Sequence, residues 1–180
     1  MCNYRYLHQI ITHSSVLIRM DPRSLRSGIL FILCLAIPLV VGMIGSVFTI
    51  PSIPGWYATL TKPAFNPPNW LFGPAWTILY ILMGIALYLV IRNGMQDPAV
   101  KQGLFLFSIQ IILNLLWSII FFGLHEIFFA LVTVLVLFVF IVATMRSFLK
   151  VSKPAGWVLL PYLCWVGFAS FLNATIWIIN

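Results

Sequence analysis

The chain has 180 residues, of which 62% are hydrophobic and only 7% are charged. Soluble domains carry about 25% charged residues, so this composition excludes an ordinary water-soluble fold and indicates an integral membrane protein. The formal net charge of +7 would suit a nucleic-acid partner. A membrane protein of this kind offers no folded basic face for one, and we expect no nucleic-acid binding.

Residues 1–27 form a predicted N-terminal tail before the first apolar window. The first 19 residues lack the uninterrupted apolar stretch of a signal peptide and lie upstream of a second methionine, Met20. Translation from Met20 is therefore an alternative start, and we assign no function to residues 1–19.

Five apolar windows follow, each close to the roughly 20 residues that a helix needs to cross a bilayer. They cover residues 28–50, 70–91, 103–122, 127–148 and 155–179, and only the connection 51–69 is long. The sequence therefore predicts an all-α membrane protein, a bundle of five transmembrane helices, in one domain that spans residues 28–180.

Lys and Arg are distributed unevenly between the two sides of such a bundle. Nine of them fall on the side that holds the N-terminus, whereas Lys62 alone falls on the other side. Basic residues are enriched in cytoplasmic segments. We therefore expect a cytoplasmic N-terminus, with the first loop and the C-terminus on the opposite side of the membrane.

The long connection 51–69 and the start of the next helix are rich in proline and aromatic residues. The prolines are Pro51, Pro54, Pro63, Pro67, Pro68 and Pro74. Proline fixes φ and removes a backbone donor, so the connection should hold a defined, partly non-helical shape. Such backbone is expected at the membrane edge where it packs on protein or lines a cavity. The loop is thus a candidate lid over a ligand site.

Away from their ends, the five windows contain no Asp, Glu, Lys, Arg or His. Ion-coupled transporters keep such groups at membrane depth, and acid–base, nucleophilic and haem-ligating sites need His, Cys or carboxylate groups. The sequence also lacks a Cys/His cluster with zinc-ligand spacing. It predicts no metal site and no cofactor, and Cys34 and Cys164 are expected to be buried apolar thiols.

Aromatic and amide side chains share helical faces in three windows. These faces are Trp76, Tyr80, Met83 and Leu87 in the second window, Gln110, Asn114, Trp117 and Phe121 in the third, and Trp165, Ala169, Leu172, Asn173 and Trp177 in the fifth. Trp70, Trp157 and Trp177 lie near the window ends, where tryptophan favours the membrane interface. The three deeper tryptophans either line a ligand cavity or fill the core between helices.

Three segments combine these features in a fixed order. They are WYATLTKPAFNPPNWLFGPAWTILY at 56–80, QIILNLLWSIIFFG at 110–123 and LPYLCWVGFASFLNATIWIIN at 160–180. Their residues and intervals resemble the motifs of the translocator protein family, also called tryptophan-rich sensory proteins (TspO) or peripheral-type benzodiazepine receptors. The resemblance covers essentially all of residues 28–180.

The resemblance implies a membrane receptor or sensor, commonly a homodimer, that binds porphyrins such as protoporphyrin IX and similar flat hydrophobic ligands beneath the first loop. Members are linked to tetrapyrrole and stress regulation. Carried over by motif position, the ligand-binding residues would be Tyr57, Pro67, Trp76, Asn114, Trp117, Trp165 and Ala169.

The resemblance also leaves an enzymatic function open, because some bacterial members are linked to light-dependent breakdown of protoporphyrin IX. The photochemical residues would then be Trp76 and Trp165. A passive porphyrin or lipid transporter has less support, because the chain shows no internal repeat and no coupling carboxylate. Two departures from the family pattern are Phe65, where many members have Trp, and the missing sterol-recognition pattern near the C-terminus. The latter lowers the case for a sterol ligand.

Overall fold

The structure, a computed structural model, describes residues 22–180, with side chains from residue 25 onward. Five helices in this range are long and apolar enough to cross a membrane, and no strand occurs among the described residues. The predicted all-α fold with five membrane-spanning helices is therefore confirmed. The hypothesis about residues 1–19 concerns residues outside this range.

In chain order the elements are α1 (Pro22–Ser52), α2 (Trp56–Thr59), α3 (Asn69–Ile91), α4 (Pro98–Ser118), a π-helical turn (Ile119–Gly123), α5 (Ile127–Val151), α6 (Lys153–Val158) and α7 (Leu160–Ile179). The π-helical turn completes the span that α4 begins, and α6 and α7 together form the fifth span. We call the end of the bundle that carries residues 51–69 the loop end.

The first helix differs most from the prediction, since it begins at Pro22 rather than at residue 28. It continues through Pro38 and ends just after Pro51, because membrane helices tolerate proline where neighbouring groups satisfy the freed backbone. The chain divides into units of residues 1–30 and 31–180. The described part of the first unit is the start of α1, and all contacts below lie within the second. A domain boundary after residue 27 stays a prediction.

Close approach between helices rests on glycine. A Cβ built on Gly84 of α3 would lie 2.7 Å from the Cα of Leu35 in α1, so only glycine fits there without a backbone shift. Gly42 of α1 packs in the same way against the Tyr80 ring of α3. Elsewhere α5 packs against both α4 and α7, and α3 packs against α6.

The outer surface carries many exposed apolar side chains, as expected for helices that face lipid. Trp70, Trp157 and Trp177 are among them, with exposed fractions of 72%, 59% and 46%. The prediction for the two thiols is right for Cys34, which is buried, and wrong for Cys164, which is exposed. Cys164 lies on the face of α7 opposite the buried Tyr162 and Val166 side, where a thiol can meet hydrocarbon as easily as protein.

Candidate functional site

The loop between α1 and α3 has an ordered internal structure. Its single helical turn, α2, buries Tyr57, whose hydroxyl donates to Oδ1 of Asn66 at 2.6 Å. The Asn66 amide in turn donates to the carbonyl of Pro67 at 3.0 Å. Burial raises the pKa of Tyr57 to about 12, against the opposing effect of the Asn66 hydrogen bond. The phenol is therefore a neutral donor at physiological pH.

The roof, which we define as residues 56–68, is attached to the end of the fifth span. The backbone N–H of Thr61 donates to Oδ1 of Asn180 at 2.9 Å, and Nδ2 of Asn180 donates back to the Thr61 carbonyl at 3.0 Å. The Phe65 ring stacks on Phe171 of α7, with ring centroids 5.2 Å apart. Phe65 also meets Phe168 of α7 edge-on at 6.5 Å, so two hydrogen bonds and two ring pairs join the roof to α7.

A second attachment joins the roof to the π-helical turn. The indole of Trp56 stacks on the His125 ring at 4.4 Å and meets Phe121 edge-on at 5.4 Å. His125 has a φ of 60°, a left-handed conformation that is uncommon for residues other than glycine but enriched for His. His125 lies two residues beyond the end of the π-helical turn, and its imidazole stacks on the roof at Trp56.

Beneath the roof lies a cavity that we call the aromatic cavity. Its lining comes from the roof, α3, α4, the π-helical turn and α7: Tyr57, Phe72, Trp76, Trp117, Phe121, Phe122, Trp165, Phe168, Ala169, Leu172, Asn173 and Ile176. Eight of these twelve residues are aromatic. Their rings fill the space so completely that a volume of about 20 Å³ remains, which is room for about one water molecule.

The rings of the aromatic cavity form a connected cluster. Trp117 is the centre, since its indole lies 6.1 Å from Trp76 and 5.6 Å from Phe121, where it is stacked. Trp165 meets Phe72 edge-on at 6.5 Å on the other wall. Offset and edge-on ring pairs add about 0.5–1.5 kcal/mol each beyond burial, so the ring contacts stabilise the closed form of the cavity.

The structure brings five of the seven residues carried over from the family motifs to this cavity: Tyr57, Trp76, Trp117, Trp165 and Ala169. Pro67 is buried in the roof but is not part of the lining, and Asn114 lies deeper in the bundle. The motif comparison missed the lining residues Phe72 and Phe168. Helical spacing could have found them, because they lie four residues before Trp76 and three after Trp165 and so share their faces.

Asn114 belongs to a buried hydrogen-bond network that links three spans. Its Oδ1 accepts from the Tyr80 hydroxyl at 2.7 Å, and its Nδ2 donates to the Tyr162 hydroxyl at 3.2 Å. Tyr162 donates onward to Oε1 of Gln110 at 2.9 Å. All four residues are less than one-tenth exposed, so the network satisfies polar groups that lipid and packed side chains could not.

A second amide ties the cavity wall to the start of α5. Nε1 of Trp117 donates to Oδ1 of Asn173 at 3.2 Å, and Nδ2 of Asn173 donates to the carbonyl of Ile127 at 3.1 Å. The indole of Trp117 is therefore held in one orientation by its hydrogen bond to Asn173.

The chemistry available at the aromatic cavity is stacking and neutral hydrogen bonding. Among residues 22–180, no group of three His, Cys, Asp or Glu side chains could hold a metal ion. The nearest cation is Lys62 in the roof, whose Nζ lies 5.0 Å from the centre of the Tyr57 ring and donates to the Leu60 carbonyl at 2.9 Å. The lining therefore offers apolar ring faces and neutral polar groups.

Comparison with known proteins identifies relatives over most of the chain. The family model described as the TspO/MBR family matches residues 34–178. The chain is 51% identical to Tryptophan-rich protein TspO of Chlorobaculum tepidum, over 82% of this chain and 94% of the relative. It is 48% identical to the protein of the same name from Archaeoglobus fulgidus, over 79% and 91%. It is 36% identical to Translocator protein of Bos taurus, over 78% and 84%.

Proposed function

This chain belongs to the TspO/MBR family, and on that premise we propose that it is a membrane receptor or sensor for porphyrins. Membership of a family of translocator and sensory proteins supports a receptor or sensor role in the membrane. The proposal adds the ligand, protoporphyrin IX or a similar flat hydrophobic molecule, and its site, the aromatic cavity. A link to tetrapyrrole and stress regulation follows from the same premise.

The observation that carries the proposal is the ring of eight aromatic side chains around one cavity at membrane depth. A tetrapyrrole macrocycle has two large apolar faces, and indole and phenyl rings bind such faces by offset stacking. The remaining space of about 20 Å³ is far too small for a macrocycle. Binding therefore requires the rings on the two walls to part, with the macrocycle taking over the stacking contacts that they now make with each other.

The carboxylates of a porphyrin need donors close to the roof. Lys62 is the basic residue nearest to the cavity, and its ammonium group has three donors, of which one contacts the Leu60 carbonyl at 2.9 Å and one the Ala58 carbonyl at 3.4 Å. Exchange of the longer bond for a propionate would keep the macrocycle beneath the roof with its carboxylates at the membrane surface.

The test is quenching of tryptophan fluorescence by protoporphyrin IX in purified protein. We expect saturable quenching for the parent, moderately weaker binding for Trp76→Phe and Trp165→Phe, and much weaker binding for the Ala variants, because an indole buries up to about 250 Å². Trp157→Phe is the matched control, since Trp157 is exposed outside the cavity. Ala variants that remain folded and bind as well as the parent would place the ligand elsewhere.

A second candidate function is light-dependent breakdown of the bound porphyrin. It is favoured by the indoles on the wall of one cavity, Trp117 and the two proposed photochemical residues Trp76 and Trp165, where an excited porphyrin could exchange an electron with Trp76 or Trp165 in the presence of dioxygen. Products formed under illumination but not in the dark would support it. The Phe variants should then lose product far more than they lose binding, since stacking survives and indole photochemistry does not.

The protein is an integral multi-pass membrane protein, and the lipid bilayer is its environment. We further propose that the N-terminus is cytoplasmic and that the roof and C-terminus lie on the opposite side, from the nine-to-one distribution of Lys and Arg. A cysteine introduced in 51–69 should react with an impermeant thiol reagent added to intact cells, and one in 92–101 should not. The reverse pattern would overturn the orientation.

We propose a homodimer on the basis of family membership alone. Small residues on helix faces could have supported it, but Gly42, Gly45 and Gly84 pack against side chains or backbone of other helices of the same chain. They are therefore occupied by contacts within one protomer. Mass measurement in detergent that returns a dimer supports the proposal, and a monomer at high concentration contradicts it.

A further inference from the structure

A second cavity, which we call the lateral crevice, lies between α1 and α3 near the loop end. It has a volume of about 270 Å³ and is lined by Leu39, Gly42, Met43, Gly45, Ser46, Thr49, Ile50, Ile53, Phe72, Gly73, Trp76, Thr77, Tyr80, Trp117, Ser118 and Phe122. A cavity of about 150 Å³ is enough to bind benzene. The lateral crevice therefore has room for a ring-sized part of a ligand, and the aromatic cavity does not.

The lateral crevice arises from the path of α1. Up to Gly42, α1 packs closely on α3, first where Leu35 meets Gly84 and then where Gly42 meets Tyr80. Beyond Gly42 it contacts α4 and the π-helical turn, where Gly45 approaches the Ser118 side chain and Phe48 approaches Gly123. The two helices therefore separate towards the loop end. Exposed residues at the opening, such as Ile50 and Thr77, belong to two membrane spans, so the opening faces hydrocarbon.

The polar groups of the lateral crevice have their own partners. The hydroxyls of Ser46, Thr49 and Thr77 each donate to a carbonyl of their own helix, at 2.7, 3.1 and 2.9 Å. A ligand in the crevice need not supply hydrogen bonds to them, and an apolar molecule can enter without leaving these groups unsatisfied.

The two cavities share a wall of four side chains, Phe72, Trp76, Trp117 and Phe122, which line both. Trp117 is fixed by its bond to Asn173. Trp76 contacts the rings of Tyr80, Tyr162 and Trp117 and lines both spaces. The roof, by contrast, is held by the Asn180 bonds and by two ring stacks.

We propose that the lateral crevice is a second ligand site, which receives flat apolar molecules dissolved in the bilayer and passes them to the aromatic cavity past Trp76. The roof stays closed during this step. The inference rests on the proposed function for the identity of the final ligand, but the existence of the site does not, and two experiments separate them.

The first experiment needs no porphyrin. Protein in phosphatidylcholine nanodiscs that contain a phospholipid with a diazirine on its acyl chain is illuminated, and labelled residues are mapped by mass spectrometry. We expect labelling of Trp76 and Thr77 in the parent. Gly73→Leu should reduce labelling of Trp76 several-fold, since Gly73 lines the crevice and a Cβ added there meets nothing within 4 Å, which leaves space for a larger side chain. Gly28→Leu is the matched control, because Gly28 is equally open and lies outside the lining.

The second experiment measures the rates of protoporphyrin IX binding in the same nanodiscs. Gly73→Leu should slow association and dissociation by about tenfold each. It should leave the affinity nearly unchanged, because a narrower entry route raises the free-energy barrier without changing the free energies of the bound and unbound states. Asn180→Ala, which removes the two hydrogen bonds that join the roof to α7, should leave both rates at the parent values.

The outcomes distinguish the two ideas. Faster rates in Asn180→Ala with parent rates in Gly73→Leu would overturn the lateral route in favour of the roof. Saturable porphyrin binding without acyl-chain labelling of Trp76 would also overturn it. Crevice labelling that responds to Gly73→Leu, in a protein that shows no porphyrin binding, supports the site and refutes the proposed function.

Discussion

The substitution Asn114→Leu tests whether Asn114 serves the fold or the ligand. Asn114 accepts from Tyr80 and donates to Tyr162 in the centre of the bundle, and family position would make it a ligand-binding residue. In Asn114→Leu the Tyr80 hydroxyl keeps its burial and loses its acceptor. Tyr162 keeps Gln110 as the acceptor of its own proton and loses only an incoming donor. The main cost is therefore one orphaned hydroxyl.

The magnitude follows from the state of that hydroxyl. A buried donor left without a partner costs about 1–3 kcal/mol, and hydrogen bonds between membrane helices average about 0.6 kcal/mol. We expect a loss of about 2 kcal/mol for Asn114→Leu and about 1 kcal/mol for Tyr80→Phe. The double variant has no orphaned hydroxyl at residue 80. It should therefore lose about 1 kcal/mol rather than about 3 kcal/mol, a coupling of about 2 kcal/mol.

The assay is the free energy of unfolding in mixed micelles, with sodium dodecyl sulfate as the denaturant, for the parent, both single variants and the double variant. Additive losses in the double variant would refute the network argument. Porphyrin affinity in the double variant decides the second question. An affinity close to that of the parent places Asn114 in the framework, and a large loss in a protein of restored stability would mean that Asn114 reaches the ligand.

Three further changes test other contacts. Asn180→Ala should speed hydrogen exchange of the Thr61 amide and its neighbours in the roof, because both hydrogen bonds between the roof and α7 are lost. Unchanged exchange would show that the ring contacts alone hold the roof on α7. Gly84→Ala should destabilise the bundle by about 1–3 kcal/mol, since the new Cβ would lie 2.7 Å from the backbone of α1. Gly73→Ala should change the stability little, because a Cβ there meets nothing within 4 Å. Equal thermal midpoints for the two variants would contradict this. Tyr57 should keep its proton until the pH approaches about 12. Because its pKa is raised on folding, its contribution to stability is present below pH 10 and lost as the pH rises above it. The measurement is the difference in phenolate absorbance between the parent and Tyr57→Phe, and a difference that rises near pH 10 would show that the roof is open.

The sequence was sufficient for the number and type of the elements, because a run of apolar residues long enough to cross the bilayer is a strong signal. Helix ends were less predictable. Hydropathy marks where lipid begins, but α1 continues to Pro22 because backbone hydrogen bonding does not stop at the membrane surface. The buried face of the third span, with Gln110, Asn114, Trp117 and Phe121, was predicted from helical spacing alone and is confirmed.

The sequence indicated where the aromatic cavity lies, but it indicated only some of the residues that line it. Motifs indicated the wall residues Trp76, Trp117 and Trp165, since a tryptophan deep in a span is rare enough to be noticed. The role of Asn180 could not be read from the chain, because its partner Thr61 lies 119 residues away and the contact uses backbone atoms. The lateral crevice could not be predicted either. A cavity between two helices depends on where the helices diverge, and the residue types in the two helices do not determine that position.

The π-helical turn at Ile119–Gly123 amounts to one extra residue within the third span. It allows the neighbours Phe121 and Phe122 to be buried together, at 3% and 6% exposure, whereas successive residues of an α-helix point about 100° apart. Deletion of Ile120 would return this segment to α-helical register and turn one phenylalanine away from the cavity. It would also rotate His125 out of its stack with Trp56. A change in chain length of a single residue, with no change of residue type at the cavity, would therefore reshape the wall of the aromatic cavity.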